Sequence, residues 1–202
     1  MHTNDAGNSK EEILARLEVI ERMMAEGRSV TARYGGIFLL WGVAFLVAIG
    51  WALWLPHKGL AWVVTMPAAA LLSNLAGIRH RGCGPQTPAV RAVCAVWIAV
   101  SAALFLYMFS AGYSGHANMH TLLAAMETLL GVANCASAII LRWRVQMAVA
   151  IVWFVSAAVS CFAPSAALLP ILAVATLIGQ IGFGLYLAYL EGRNRKPAVL
   201  HG

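Results

Sequence analysis

The stretch Tyr34-Gly35-Gly36-Ile37-Phe38-Leu39-Leu40-Trp41-Gly42-Val43-Ala44-Phe45-Leu46-Val47-Ala48-Ile49-Gly50-Trp51-Ala52-Leu53-Trp54-Leu55 follows Arg33 and contains no charged side chain. As a helix it is ~33 Å long at ~1.5 Å per residue, enough to cross a hydrocarbon core of ~30 Å. Five comparable apolar stretches follow, near 60–78, 89–111, 119–141, 145–163 and 165–190. The 202 residues are 61% apolar and only 11% charged, whereas a soluble domain carries about a quarter charged residues. The pattern predicts an all-α integral membrane protein with six transmembrane helices.

Charge placement predicts the orientation. With the N-terminus inside and the connections alternating, the inner side holds Lys10, Arg16, Arg22, Arg28, Arg33, Arg79, Arg81, Arg91, Arg142, Arg144, Arg193, Arg195 and Lys196. The outer side holds only Lys58. Such positive-inside sorting predicts a multi-pass protein with both termini cytoplasmic. The first 33 residues are polar, and the apolar run after them continues as a span rather than reading as a cleavable signal. A bacterial inner (plasma) membrane is the expected location, and the lipid bilayer the first partner. The organisation expected is a cytoplasmic segment over 1–33, a six-helix bundle over 34–190 and a basic cytoplasmic tail over 191–202. The net charge of +6 is accounted for by basic residues beside helix ends, where they meet anionic head groups. No basic module is left over for nucleic acid.

A repeat runs through the spans. Trp41, Trp97 and Trp153 lie at equal intervals in the first, third and fifth apolar stretches. The second, fourth and sixth stretches end in Arg79-His80-Arg81, Arg142-Trp143-Arg144 and Arg193-Asn194-Arg195. The chain thus reads as three parallel helical hairpins, each rising with a Trp and returning to an Arg-x-Arg stop.

The N-terminal segment has its own signal. Ser9-Lys10-Glu11-Glu12 is a capping box, and Gly27 is a plausible stop, so an amphipathic helix is expected over 9–27. Ile13, Leu17, Ile20 and Met24 fall on one face of it. Glu12 with Arg16 and Glu18 with Arg22 are favourable pairs one turn apart. Between Lys10 and Glu26 the acids outnumber the bases, which disfavours adsorption to an anionic leaflet. The apolar stripe is therefore expected to pair with a second copy as a short coiled coil, to hold a cytoplasmic protein, or to fold back on the bundle.

Inside the spans one acid stands alone. Glu127 falls near mid-depth of the fourth stretch, where an ionisable side chain is a functional-site hypothesis by default. His116, His120, Glu127, Gly131 and Asn134 keep near one line along that helix. The line has the layout of a polar path for a proton or cation. Equally, Glu127 can act as a neutral interhelical hydrogen-bond anchor. Thr65, Ser73, Asn74, Ser101, Ser156, Ser160, Thr176 and Gln180 are its available partners on other helices.

Little in the chain points to enzymatic chemistry. Gly112-Tyr113-Ser114-Gly115, ahead of the fourth stretch, resembles the Gly-x-Ser-Gly of rhomboid intramembrane proteases, which would make Ser114 the nucleophile. The resemblance also requires a base His on the sixth stretch, and residues 165–190 contain none. No HExxH, Walker A or dinucleotide motif occurs. His116 and His120 stand one turn apart, without the further ligands of a zinc site. Cys83, Cys94, Cys135 and Cys161 form no CxxC pair and read as packing residues. No enzymatic activity, cofactor or metal is predicted.

Two functions follow from these readings. The first is a non-enzymatic membrane protein that anchors its N-terminal helix for self-assembly or partner recruitment. The second is a small channel or carrier for a proton, a cation or a small solute, with Glu127 as its working group.

Overall fold

Apolar side chains offer a backbone no hydrogen-bond partners, so these stretches satisfy their own N–H and C=O groups as helices. The computed structural model describes residues 4–55, 58–80, 87–114 and 118–195, and the side chains of 12–55, 59–76, 87–114 and 118–193. Among the described residues there is no strand. In chain order the helices are α1 (Asn4–Arg33), α2 (Gly35–Trp54), α3 (Lys58–His80), α4 (Pro88–Tyr113), α5 (Met119–Leu141) and α6 (Arg144–Phe162). A short 3₁₀ turn at Ser165–Ala167 then leads into α7 (Leu168–Thr176), a segment of π-helix (Leu177–Gly182) and α8 (Phe183–Arg195). Six helices are long and apolar enough to cross a membrane: Gly35–Trp54, Gly59–Ala76, Pro88–Tyr113, Met119–Leu141, Arg144–Phe162 and the composite Ser165–Arg193.

Local chemistry explains the helix ends. Thr87 caps α4 by accepting the Val90 N–H, with Pro88 pre-set for the first turn. Asn118 Oδ1 accepts the His120 N–H at 2.9 Å and caps α5. The far end of α5 closes on Arg142, which adopts the left-handed conformation with φ 47°. There the Trp143 N–H donates to the Ala138 carbonyl at 2.9 Å, the Schellman arrangement usually built on glycine. This closure lets the chain reverse within Arg142-Trp143, so α5 and α6 lie antiparallel and close.

The α5–α6 pair makes the most extensive helix contact in the molecule. Half of the α5 apolar window is buried, against 11% for those of α3 and α4, which makes the last two peripheral. Alpha2 and the composite last span complete the interior around α5 and α6. Trp153 of α6 is fully buried. Its indole lies against Gly179 in the π-helical segment, where a Cβ would stand 2.6 Å from Nε1. Only glycine permits that approach. By contrast, Ile98, Phe105, Leu106 and Phe109 of α4 and Val63, Leu71 and Leu75 of α3 are exposed. Glu127, Asn134, Ser137, Gln146, Ser160 and Thr176 are buried.

Helix α1 differs from the expected 9–27. It begins at Asn4, ahead of Ser9, and continues through Gly27 to Arg33. Gly27 is not a stop, because its missing side chain serves packing: a Cβ there would meet Leu141 Cδ2 at 2.7 Å. The Arg28 guanidinium donates to the Leu141 carbonyl at 3.2 Å, one of the unpaired carbonyls at the end of α5. The second half of α1 is thereby docked on the end of the bundle that carries Arg28, Arg33, Arg142, Arg144 and Arg193, here called the basic end. The expected tail 191–202 begins inside α8, which reaches Arg195.

A Gly179→Ala substitution drives a methyl group into a rigid, buried indole. It should destabilise the folded protein by about 1–3 kcal/mol, whereas Gly36→Ala, with nothing within 4 Å of the added Cβ, should not. Thermal unfolding of both variants in detergent checks this.

Candidate functional site

Seven-residue spacing places His120, Glu127 and Asn134 along one side of α5, and the same spacing places Gln146, Trp153 and Ser160 along α6. Two antiparallel helices with matching repeats of this kind pack along a continuous seam. Gly131 lies against the Phe154 ring, and Cys135 Sγ is 3.9 Å from Met147 Sδ. These contacts fix the register, which places Ser137 across from Gln146.

Glu127 is fully buried on this seam. The Ser156 hydroxyl donates to its Oε1 at 2.7 Å, and the Ser160 hydroxyl donates to its Oε2 at 2.9 Å. Each carboxyl oxygen thus has a donor from the facing helix, one turn apart on α6. Of the partners expected from the sequence, these two serines are the ones that reach Glu127. Thr65 and Asn74 bond backbone carbonyls of their own helix, and Thr176 and Gln180 are buried on the last span.

His120 extends the cluster away from the basic end. Its Nδ1 is 3.1 Å from the Ser160 carbonyl oxygen and its Nε2 is 3.1 Å from Ser165 Oγ. A carbonyl oxygen only accepts, so Nδ1 carries the hydrogen of the neutral ring and Nε2 accepts from the Ser165 hydroxyl. Ser160 therefore joins both titratable groups: its backbone holds the imidazole and its side chain holds the carboxyl. Beside His120 an open groove of ≈ 550 Å³ is lined by Asn118, Thr121, Ala124, Ala125, Thr128 and Cys161.

Toward the basic end, Asn134 Nδ2 donates to the Leu130 carbonyl at 2.9 Å, while its Oδ1 has no protein partner. The same is true of Ser137 Oγ, both amide atoms of Gln146, Trp153 Nε1, Thr176 Oγ1 and Gln180 Oε1. Ser137 and Gln146 were not singled out from the sequence. The signal for Gln146 is its seven-residue interval to Trp153 and on to Ser160; Ser137 becomes apparent only with the α5–α6 register. His116 lies outside the described residues. No group of three His, Cys, Asp or Glu that could hold a metal ion occurs among the described residues.

The expected interaction face lies apart from this seam. Ile13, Leu17 and Ile20 are 54%, 51% and 44% exposed, while Met24 is half-buried where α1 approaches the bundle. Leu14 and Val19 widen the exposed stripe. Arg16 pairs with Glu12 one turn away.

No family model, curated protein or solved structure matches the chain. The residues and their geometry carry the functional argument.

Removing a hydroxyl leaves a buried carboxyl oxygen without its donor. Ser156→Ala and Ser160→Ala should each destabilise the protein by about 1–3 kcal/mol. Equilibrium unfolding in detergent reads the energies. Stability unchanged in the double variant would show that these hydroxyls do not hold Glu127.

Proposed function

We propose that the protein is a non-enzymatic, multi-pass protein of a bacterial inner membrane that presents α1 in the cytoplasm for self-assembly. The basic end faces the cytoplasm in this reading, on the strength of the charge asymmetry. In this reading the six spans form three hairpins, α2–α3, α4–α5 and α6 with the last span, and contacts within each pair support it. The exposed aliphatic surfaces of α3 and α4 are those a lipid-facing helix would carry.

One observation carries the assembly reading. Alpha1 is held at one end by Gly27 and Arg28, and its apolar residues Ile13, Leu17 and Ile20 stand uncovered. A contiguous apolar stripe on a helix clear of its own core marks an interaction face. The occupant favoured is a second copy of the chain. Ile13, Leu17, Ile20 and Met24 fit alternating core positions of a heptad, which puts Arg16 and Glu21 on its two flanks. In a parallel pair Arg16 of one copy faces Glu21 of the other, so the charges attract. Copies inserted the same way in one membrane meet in parallel when α1 runs along the membrane normal. Two heptads are marginal in free solution, but confinement to a shared membrane raises their effective concentration.

Native mass spectrometry of the full-length protein in mild detergent tests the proposal. The unmodified chain should form an oligomer, and Leu17→Glu should convert it to a monomer with an unchanged melting temperature. Arg16→Glu or Glu21→Arg alone should weaken the assembly, and the two together should restore it. A monomeric unmodified chain would overturn self-assembly. Leu17-dependent capture of a different protein would assign the face to recruitment instead.

A further inference from the structure

Buried polar atoms continue the Glu127 cluster toward both ends of the seam. His120 lies ~10 Å along α5 on one side of Glu127, and Asn134 and Ser137 lie ~10 and ~15 Å away on the other, at ~1.5 Å per residue. The column from His120 to Ser137 therefore spans ~25 Å of a ~30 Å hydrocarbon core. Between Glu127 and Asn134 the interior is completed by α6 and the π-helical segment. The Trp153 indole nitrogen lies against Gly179 there, and neighbouring Gln180 is buried with Oε1 unpartnered. Short π-helical segments within α-helices are frequent at functional sites.

These groups have a common chemical character. Asn134, Ser137, Gln146, Thr176 and Gln180 each offer an unpartnered, buried oxygen; Gln146 Nε2 and Trp153 Nε1 are unpartnered donors. A fully buried polar atom without a partner costs about 1–3 kcal/mol, and an interior water with two to four polar neighbours is the usual remedy. Several such atoms on α5, α6 and the adjoining last span make a hydrated column the inexpensive solution. Donors and acceptors are mixed along it, which suits proton hopping. A desolvated cation would require converging oxygens alone, and the N–H groups of His120, Trp153 and Gln146 oppose that. The groove beside His120 has neither Glu127 nor Asn134 in its lining.

We propose that the α5–α6 seam is a proton path across the membrane, with His120 and Glu127 as proton carriers and Asn134, Ser137 and Gln146 as its limb at the basic end. His120 takes a proton at Nε2 beside Ser165 and gives up the one on Nδ1. That proton passes over interior water and the Ser160 hydroxyl to the Glu127 carboxyl. Glu127 then releases it to water held by Asn134, Ser137 and Gln146. Among the described residues Glu127 is the only fully buried Asp, Glu, Lys, Arg or His, and His120 on its own helix is the titratable group joined to it through Ser160. This inference rests on the membrane-spanning reading and is independent of self-assembly through α1.

Proton flux into liposomes carrying the purified full-length protein is the test. A potassium gradient with valinomycin supplies the driving potential, and an entrapped pH dye reports protons. The unmodified protein should acidify the lumen about tenfold faster than protein-free liposomes. Glu127→Gln, which keeps size but replaces one acceptor oxygen by a donor NH2 and cannot carry a proton, should return the rate to background. Gln146→Leu should do the same by drying the limb at the basic end, and remains informative should Glu127→Gln fail to fold. Leu17→Glu should conduct like the unmodified chain, which separates this result from the assembly test. Background flux in the unmodified protein would overturn the proposal. So would undiminished flux in folded Glu127→Gln or Gln146→Leu, which would indicate leakage around the protein.

Discussion

The antiparallel contact between α5 and α6 is the constraint on which the rest of the arrangement depends. The reversal at Arg142-Trp143 brings the two helices together without a spacer, and their seven-residue repeats hold them in contact along their length. Three consequences follow. Glu127 faces Ser156 and Ser160 rather than the exterior. Trp153 is driven inward against Gly179, which fixes where the last span can lie. The end of α5 presents Leu141 and its carbonyl to α1. Alpha3 and α4 bury far less and depend on neighbours already in place.

The interior is more polar than an ordinary core, and the exterior more apolar than an ordinary surface. Burying Glu127, Asn134, Gln146 and Gln180 in a protein of this size would be costly in water, where each could be solvated on unfolding. In hydrocarbon the comparison changes. A polar side chain on the outside of a span has only lipid tails for company, so the protein interior is its better environment. The same reasoning allows Ile98, Phe105 and Leu71 to face outward without an aggregation cost. An inverted distribution of this sort is what a lipid-facing bundle would carry, and it concerns which side of each helix faces in rather than hydropathy.

The sequence made some of this legible and concealed the rest for identifiable reasons. The six apolar helices could be read because length and composition are properties of a segment alone. Glu127 could be read because a single acid in so apolar a stretch has no competing explanation. Its serine partners could be named only among several, since choosing them needs the α5–α6 register, which no single helix encodes. Gln146 lies close to the start of α6, where a polar residue is unremarkable until the facing Ser137 is known. Gly27 was misread because a glycine that ends a helix and one that admits a neighbour look alike in sequence. Only the proximity of Leu141 distinguishes them. The π-helical segment at Leu177–Gly182 has no local sequence signature; it occurs where the last span accommodates Trp153.

Alpha5 joins the two regions to which function is attributed. Its middle carries Glu127 and its end carries the contact with α1, separated by a continuous helix from Glu127 to Leu141. At that end, Gly27 admits Leu141 and Arg28 bonds a backbone carbonyl that is itself part of α5. Alpha1 also rests on α4 and α8, so its seat on the bundle is shared among several helices. The exposed face of Ile13, Leu17 and Ile20 and the buried carboxyl are therefore two separate features supported by one bundle.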